Sequence, residues 1–356
     1  MTNICHLPPA FVGPPDAEHA LATRRFQGIS SLAITPGAYW ATWYAGPTPD
    51  EDSNNYVVLS RSTDAGANWQ ELMVVDPDGP GPLRAFDPQL WSDPQGRLWW
   101  FWTQGEDHHG HYAGLWSMRC DAPDVAAPVW SAPVLIGTGV MMGKPLVLNS
   151  GEWALPVSTW RTTDNSAGLV VSNDDGQTWE RRGGAQVPRA ARSFDEHQFI
   201  EYADGRLDVF VRTRYGIGRS RSYDQGRNWA TVQAAGIPHP DARFFISRLR
   251  SGNLILIKHG PLTEKTGRSH LTAFLSRDDG ATWEGGLLIE EREKVSYPDG
   301  QQDADGSIVI THDFDRTGER TIHMARFREE DILAGKADAP GVLLRQIISR
   351  AGECRD

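Results

Sequence analysis

Apolar and polar positions in this chain alternate in short bursts, each burst cut by a turn residue. The same figure recurs in "SLAITPGAYWATWYAG", "PQLWSDPQGRLWWFWTQ", "PLVLNSGEWALPVSTW", "HQFIEYADGRLDVFVRTR", "FFISRLRSGNLILIKHG" and "QQDADGSIVITHD". In each, a strand-like stretch meets a tight turn carrying Gly, and a second strand-like stretch follows. That is the signature of a β-hairpin. Helical periodicity is hard to find anywhere along the chain.

A second pattern is laid over the first. "SRSTDAGANW", "VSNDDGQTW", "SRSYDQGRNW" and "LSRDDGATW" share one frame, Ser-x-Asp-x-Gly-x-Thr/Asn-Trp. Their aspartates, Asp64, Asp174, Asp224 and Asp278, lie 110, 50 and 54 residues apart, so the first gap spans two periods with one box eroded. At the eroded place, "GLWSMRCDAPDVAAPVW" keeps a strand-like run to Ser117 and a Trp at Trp130. The stretch "TIHMARFREEDILAG" has the entering strand without a box. A third strand runs into each box and a fourth leaves it, as in "QELMVVD" and "GGLLIEE". Four short antiparallel strands, repeated six times at roughly 50 residues, predict an all-β, six-bladed β-propeller. The boxes then sit between the third and fourth strands. Four copies spaced around a ring cannot all address one small ligand, so they are read as scaffold.

The repeat decides what a length of 356 residues leaves open, and favours one large repeat domain over two ordinary ones. The expected division is an N-terminal extension over 1–19, a propeller over 20–345 and a tail over 346–356. The extension is expected to pack on the last blade or to lie across the ring. A formal net charge of -11 disfavours a nucleic-acid partner. No stretch approaches the ~20 apolar residues of a membrane helix. The opening "MTNICHLPPAF" has no signal-peptide character, so a cytoplasmic location is expected. Cys5, Cys120 and Cys354 are far apart and read as free thiols. The loop "GEDHHGHYAG" gathers His108, His109 and His111, yet its spacing matches no strong metal motif. No metal and no cofactor is expected.

Antiparallel strands sort the loops of a propeller into two ends. Boxes and first hairpin turns share one end, while starts of first strands and ends of second strands share the other. That second end is chemically crowded. Strand starts bring Gln27, Asp87, Lys144, Glu196, His197, Arg243, Tyr297 and Asp299, and strand ends and loops bring Arg212, Arg214, His259 and Arg268. A concave mouth with converging charges is the default site.

With boxes and mouth residues together, the sequence resembles the sialidase (neuraminidase) superfamily over almost its full length. "EHQFIEYADGRLDVFVRTR" resembles that family's fourth-blade stretch, "GRSHLTAFLSRDDGATW" its Arg before a box, and "SYPDGQQDADGSIVI" its last-blade Tyr. The resemblance implies that Tyr297 is a nucleophile polarised by Glu196, and that Arg212 and Arg268 belong to a three-Arg clamp for a substrate carboxylate. The chemistry is coherent. A phenol with an ordinary pKa of ~10 needs a carboxylate to take its proton, and guanidiniums grip planar carboxylates well. The chain departs from the family in two places. "RRFQGISSLAI" puts Gln27 where the clamp's first Arg stands, and Gln27 is expected to face the pocket. The family's general-acid Asp gives way to Tyr44, Ala45 and Gly46, leaving Asp87, Asp50 and Asp52 as candidates.

The function expected is an exo-acting glycoside hydrolase that releases a terminal sugar, acidic or not, from an oligosaccharide or glycoconjugate. Arg243, Lys144, Arg214, His197, Gln27, Asp299 and His259 would join Arg212 and Arg268 in binding it. Two alternatives stay open: a propeller lyase acting on a uronate through Tyr or His, and a carbohydrate-binding propeller without catalysis. A buried Glu196–Tyr297 pair favours the first reading.

Overall fold

The computed structural model describes residues 3–352, the side chain of residue 161 excepted. Six antiparallel sheets follow one another along the chain and form the six blades of a propeller. The first blade is built from Phe26–Thr35, Ala38–Gly46, Tyr56–Ser62 and Gln70–Asp76, and the second from Arg84–Ser92, Leu98–Gly105, Gly114–Cys120 and Val134–Thr138. In the third, the inner strand is broken into Val140–Met141 and Leu146–Val147, beside Trp153–Ser158, Ala167–Ser172 and Glu180–Ala185. The fourth holds His197–Glu201, Leu207–Thr213, Gly216–Ser222 and Gln233–Ala234. The fifth holds Phe245–Arg248, Leu254–His259, Leu271–Ser276 and Glu284–Glu290, and the sixth Val295–Gln302, Ile308–Phe314, Thr321–Phe327 and Leu343–Arg350. The last strand thus passes the expected boundary at residue 345.

Second strands explain the dense apolar runs. Ala38–Gly46, Leu98–Gly105 and Leu254–His259 are buried at every position, because neighbouring blades cover both faces of each sheet. Each buried Leu, Ile or Val there stabilises the ring by roughly 1.5–3 kcal/mol. Trp40, Trp43, Trp100 and Trp102 are the largest side chains buried in full.

The boxes repeat one hydrogen-bond figure. In the first, Ser62 Oγ donates to Asp64 Oδ1 (2.7 Å) and accepts from Gly66 N (2.9 Å), and Asp64 accepts from Asn68 N and Nδ2 at 2.8 Å each. Asp174, Asp224 and Asp278 do the same. Hydrogen bonds from the Asn or Thr four residues on hold these exposed carboxyls at about 2. Two successive left-handed residues make the turn (Ala65 at φ 57°, Gly66 at φ 88°), which is why Gly closes the frame. The boxes lie with the first hairpin turns: Gln95 Nε2 donates to Asp175 Oδ1 at 3.0 Å, and Arg248 Nη1 to Asp279 Oδ1 at 2.8 Å. In place of a sixth box stands a short helix, Glu329–Ala334, and no helix among the described residues is long and apolar enough to cross a membrane.

The N-terminal extension does not pack on the last blade. Phe11–Gly13 adds a fifth strand outside the first blade, pairing with Val74–Asp76, and the residues before it reach the second blade. There Trp116 Nε1 donates to Cys5 O at 3.0 Å and Gln104 Nε2 to Leu7 O at 3.1 Å. Ring closure is instead made by side chains. Asp299 accepts from Ser31 Oγ (2.7 Å) and Leu32 N (2.9 Å), and Asp303 from Tyr39 OH (2.7 Å). Cys5 and Cys120 are buried free thiols, and Cys354 lies outside the described residues.

Candidate functional site

Three first strands carry the same irregularity. Their pairing register shifts between Gly28 and Ser31, Phe86 and Gln89, and Ser296 and Asp299. At each shift one residue takes a left-handed backbone: Ile29 (φ 56°), Asp87 (φ 49°) and Tyr297 (φ 53°). Non-Gly residues seldom adopt that region, and such strain gathers at functional sites. Asp87 and Tyr297 therefore occupy equivalent places in the second and sixth blades, with apolar Ile29 in the first.

Glu196 leads into the first strand of the fourth blade, opposite Tyr297 across the mouth. The Tyr297 hydroxyl donates to Glu196 Oε1 at 3.4 Å, longer than an ordinary hydrogen bond. Arg212 Nη1 bridges the two, at 2.9 Å from Glu196 Oε1 and 3.4 Å from Tyr297 OH. All three side chains are nearly buried, and Glu196 Oε2 has no partner among the described residues. Burial, then the charge of Glu196, push the Tyr297 phenol up to about 12, against the guanidiniums of Arg212, Arg268 and Arg316. At neutral pH the phenol keeps its proton and points it at a carboxylate. Arg212 is held in turn by Asp241, whose Oδ1 accepts from its Nε at 2.6 Å.

Arg268 and Arg316 flank the Tyr297 ring at 5.6 Å and 5.4 Å from its centre. Both line a cavity of about 650 Å³ together with Phe26, Glu51, Ser296 and Lys294. The sequence reading missed Arg316 and Glu51. Arg316 Nη1 donates to Glu51 Oε1 at 2.6 Å, and Tyr44 OH to Glu51 Oε2 at 2.7 Å. Burial opposes ionisation of Glu51, but Arg316 and Arg84 hold its carboxyl below the ordinary value. Gly28 was the available signal. A Cβ there would stand 2.3 Å from Arg316 Cδ, so only Gly admits this side chain.

Gln27 does not face the pocket. It is fully buried and turns outward within the seam, donating to Arg320 O at 2.6 Å and Ser349 Oγ at 3.3 Å. Arg316 from the sixth blade, and not a first-blade residue, is the third guanidinium beside Tyr297.

Of the three acid candidates, Asp50 lines the cavity and accepts from Glu51 N at 2.8 Å, while Asp52 folds its own loop, accepting from Thr48 Oγ1 at 2.5 Å and Asn54 N at 2.9 Å. Asp87 is the buried one of the three. Burial raises it to about 8, helped by the charges of Glu196 and Glu51 and opposed by Arg84 and Arg243.

Other residues assigned to binding lie elsewhere. Lys144 and Asp299 form an axle inside the ring, 2.7 Å apart, where Lys144 Nζ also donates to Leu32 O and Leu90 O. Arg243 joins them through Asp299 Oδ1 at 3.1 Å and Gln89 Oε1 at 3.3 Å, while reaching Asp87 by charge. His197 is buried between two carbonyls, of Asp195 (2.9 Å) and Gly168 (2.8 Å), and burial lowers it to about 4. His259 is buried against His239 (3.2 Å) and Val295 O (2.9 Å), and burial lowers it likewise to about 4. These five are scaffold because strand starts and strand ends near the axis also point inward or between blades. Arg214 is exposed on the turn after Thr213.

The architecture is that of a sialidase-type propeller, and comparison with known proteins agrees. The chain belongs to the BNR repeat-like domain family, within the sialidase superfamily; that family's profile matches residues 37–310. It is 26% identical over 284 residues to a sialidase of Bacteroides fragilis, covering 68% of this chain and 51% of that protein. To a sialidase of Micromonospora viridifaciens it is 26% identical over 299 residues, covering 72% and 45%. The chain thus spans about half the length of the curated relatives it matches. A solved sialidase of Streptococcus pneumoniae superposes with a TM-score of 0.67 at 13% identity, covering 92% of this chain and 71% of that one. At that identity the likeness shows the fold.

Proposed function

We propose that the chain is a sialidase-like exo-glycoside hydrolase releasing a terminal sugar, with Tyr297 as nucleophile, Glu196 as its proton acceptor and Asp87 as general acid. One observation carries the reading: a buried phenol aimed at a buried carboxylate, both gripped by one guanidinium. Tyr297 Oη attacks the anomeric carbon as its proton passes to Glu196. The bond to the leaving oxygen breaks, and that oxygen takes the proton of Asp87. Water then cleaves the glycosyl–Tyr297 bond, giving one proton back to Asp87, while Glu196 returns its proton to the phenolate. A phenol starts neutral, so it meets less repulsion from an acidic sugar than a carboxylate nucleophile would. The names of the relatives support the reading. A His–Tyr pair at the mouth would favour the lyase alternative, whereas His197 and His259 are each buried against backbone carbonyls.

Replacing Tyr297 by Phe tests it. Turnover of activated glycosides (sialoside, rhamnosyl, fucosyl and uronosyl in parallel) should fall at least ~100-fold with the fold intact. Near-normal turnover in the Phe variant would remove Tyr297 from the mechanism.

A further inference from the structure

Two of the guanidiniums beside Tyr297 rest on one residue. Arg212 lies near the end of the fourth blade's second strand, and Arg268 precedes the third strand of the fifth blade. Both meet Asp241, in the loop between the two blades. One edge of Arg212 is spent there: Nε donates to Asp241 Oδ1 at 2.6 Å and Nη2 to Asp241 O at 3.0 Å. Its remaining nitrogen, Nη1, is thereby turned toward Glu196 and Tyr297. Arg268 Nη2 donates to the same Asp241 carbonyl at 3.2 Å. Burial opposes ionisation of Asp241, but the charge of Arg212, hydrogen bonds from Arg212 and Ser193, and the charge of Arg268 hold its carboxyl below the ordinary value.

The loop is pinned on both sides of Asp241. Before it, Pro238 and Pro240 fix the backbone, and Ile237 O accepts from Ile217 N at 3.3 Å. Buried His239 meets His259 there at 3.2 Å. After it, buried Arg243 is tied to Asp299 at 3.1 Å. A guanidinium on a flexible stem keeps its aim only when its other edge is gripped by a rigid support. The Asp241 side chain is itself 40% exposed, so it can be replaced without opening the core.

Resting on the glycoside hydrolase reading above, we infer that Asp241 is a positioning residue for the site. Its carboxylate and carbonyl together aim Arg212 at the Glu196–Tyr297 pair, and its carbonyl steadies Arg268. It acts through the guanidiniums rather than on the substrate.

Hydrogen exchange at Arg212 Nε–H tests this without turnover, followed by heteronuclear NMR and assigned by its loss in Arg212→Lys. Asp241→Ala should speed that exchange by about tenfold or more, the scale of one charge-assisted hydrogen bond. Asp241→Asn keeps the acceptor and should restore most of the protection. Arg192 Nε–H, bonded to Asp195 at 2.9 Å, should keep its rate in both Asp241 variants. On the activated glycosides, kcat should fall about tenfold in Asp241→Ala and largely recover in Asp241→Asn, with Tm held in both. Arg212 exchange unmoved by Asp241→Ala, an Asn variant no better than the Ala one, or an unchanged kcat in the Ala variant would each overturn the inference. The hydrolase reading fails separately, by a wild type that turns over none of the glycosides. The exchange rates would then still decide whether Asp241 aims Arg212.

Discussion

The two ends of this propeller use repetition in opposite ways. At the box end, four blades build the same turn from the same side chains, and every Asp is satisfied within its own loop. At the mouth, three blades build the same left-handed bulge and place a different residue on it: Ile29, Asp87 and Tyr297. The box carboxyls are exposed and held at about 2, so they stay ionised and inert. The Asp87 carboxyl is buried and raised to about 8. One bonding figure copied four times fixes geometry; one backbone figure filled three ways makes a site.

The contrast is most easily broken at Glu196. Glu196→Gln keeps a hydrogen bond to Arg212 but cannot take the phenol proton, so turnover should fall by ~100-fold or more in steady-state rates. An Asp64→Asn change of the same chemistry at the box end should leave turnover within about twofold.

Asp87 gives the next largest effect. A general acid works only while protonated, so activity should decline as pH rises through about 8, and Asp87→Asn should abolish that limb in a pH–rate profile. Its stability effect runs the same way with pH. The folded carboxyl binds its proton more tightly than the unfolded one, so its contribution is fully present below the ordinary Asp value and is lost as pH rises toward 8. Asp87→Asn should therefore raise Tm at pH 8 while lowering turnover.

Most of the ring was legible in the sequence, and the mouth only in part. The boxes and hairpins repeat, and their turn chemistry is local, so blade count and orientation follow from spacing. Glu196, Arg212, Arg268 and Tyr297 were legible because each sits beside a repeat landmark. Lys144, Asp299, His197 and His259 were misplaced for a geometric reason. Position near the axis does not say whether a side chain points to the mouth, into the axle or between blades. At the bulge, Tyr297 goes to the mouth while Asp299, two residues on, goes into the axle. Arg316 and Glu51 come from loops whose path no period sets.

Between the two ends lies a seam of buried histidines. Burial holds His259 and His323 at about 4 and His312, stacked on His323, well below its ordinary value. Their folded values are depressed, so the stability they allow is present above about 6.5 and is lost as pH falls toward 4. Tm should drop between pH 6.5 and 5, and His312→Phe should blunt the drop. The smallest effect belongs to the boxes. Asp224→Ala should lower Tm slightly and leave the pH–rate profile unchanged.

The central claim is that the sixth-blade bulge carries the nucleophile, and covalent trapping tests it most directly. A glycosyl fluoride of the preferred sugar, fluorinated next to the anomeric carbon, still forms the glycosyl–enzyme bond but slows its hydrolysis. After digestion, mass spectrometry should find one fluorosugar on the peptide holding Tyr297, and none on the Tyr297→Phe protein. A label on another residue, or turnover of the unfluorinated sugar with Tyr297 left unlabelled, would contradict the account.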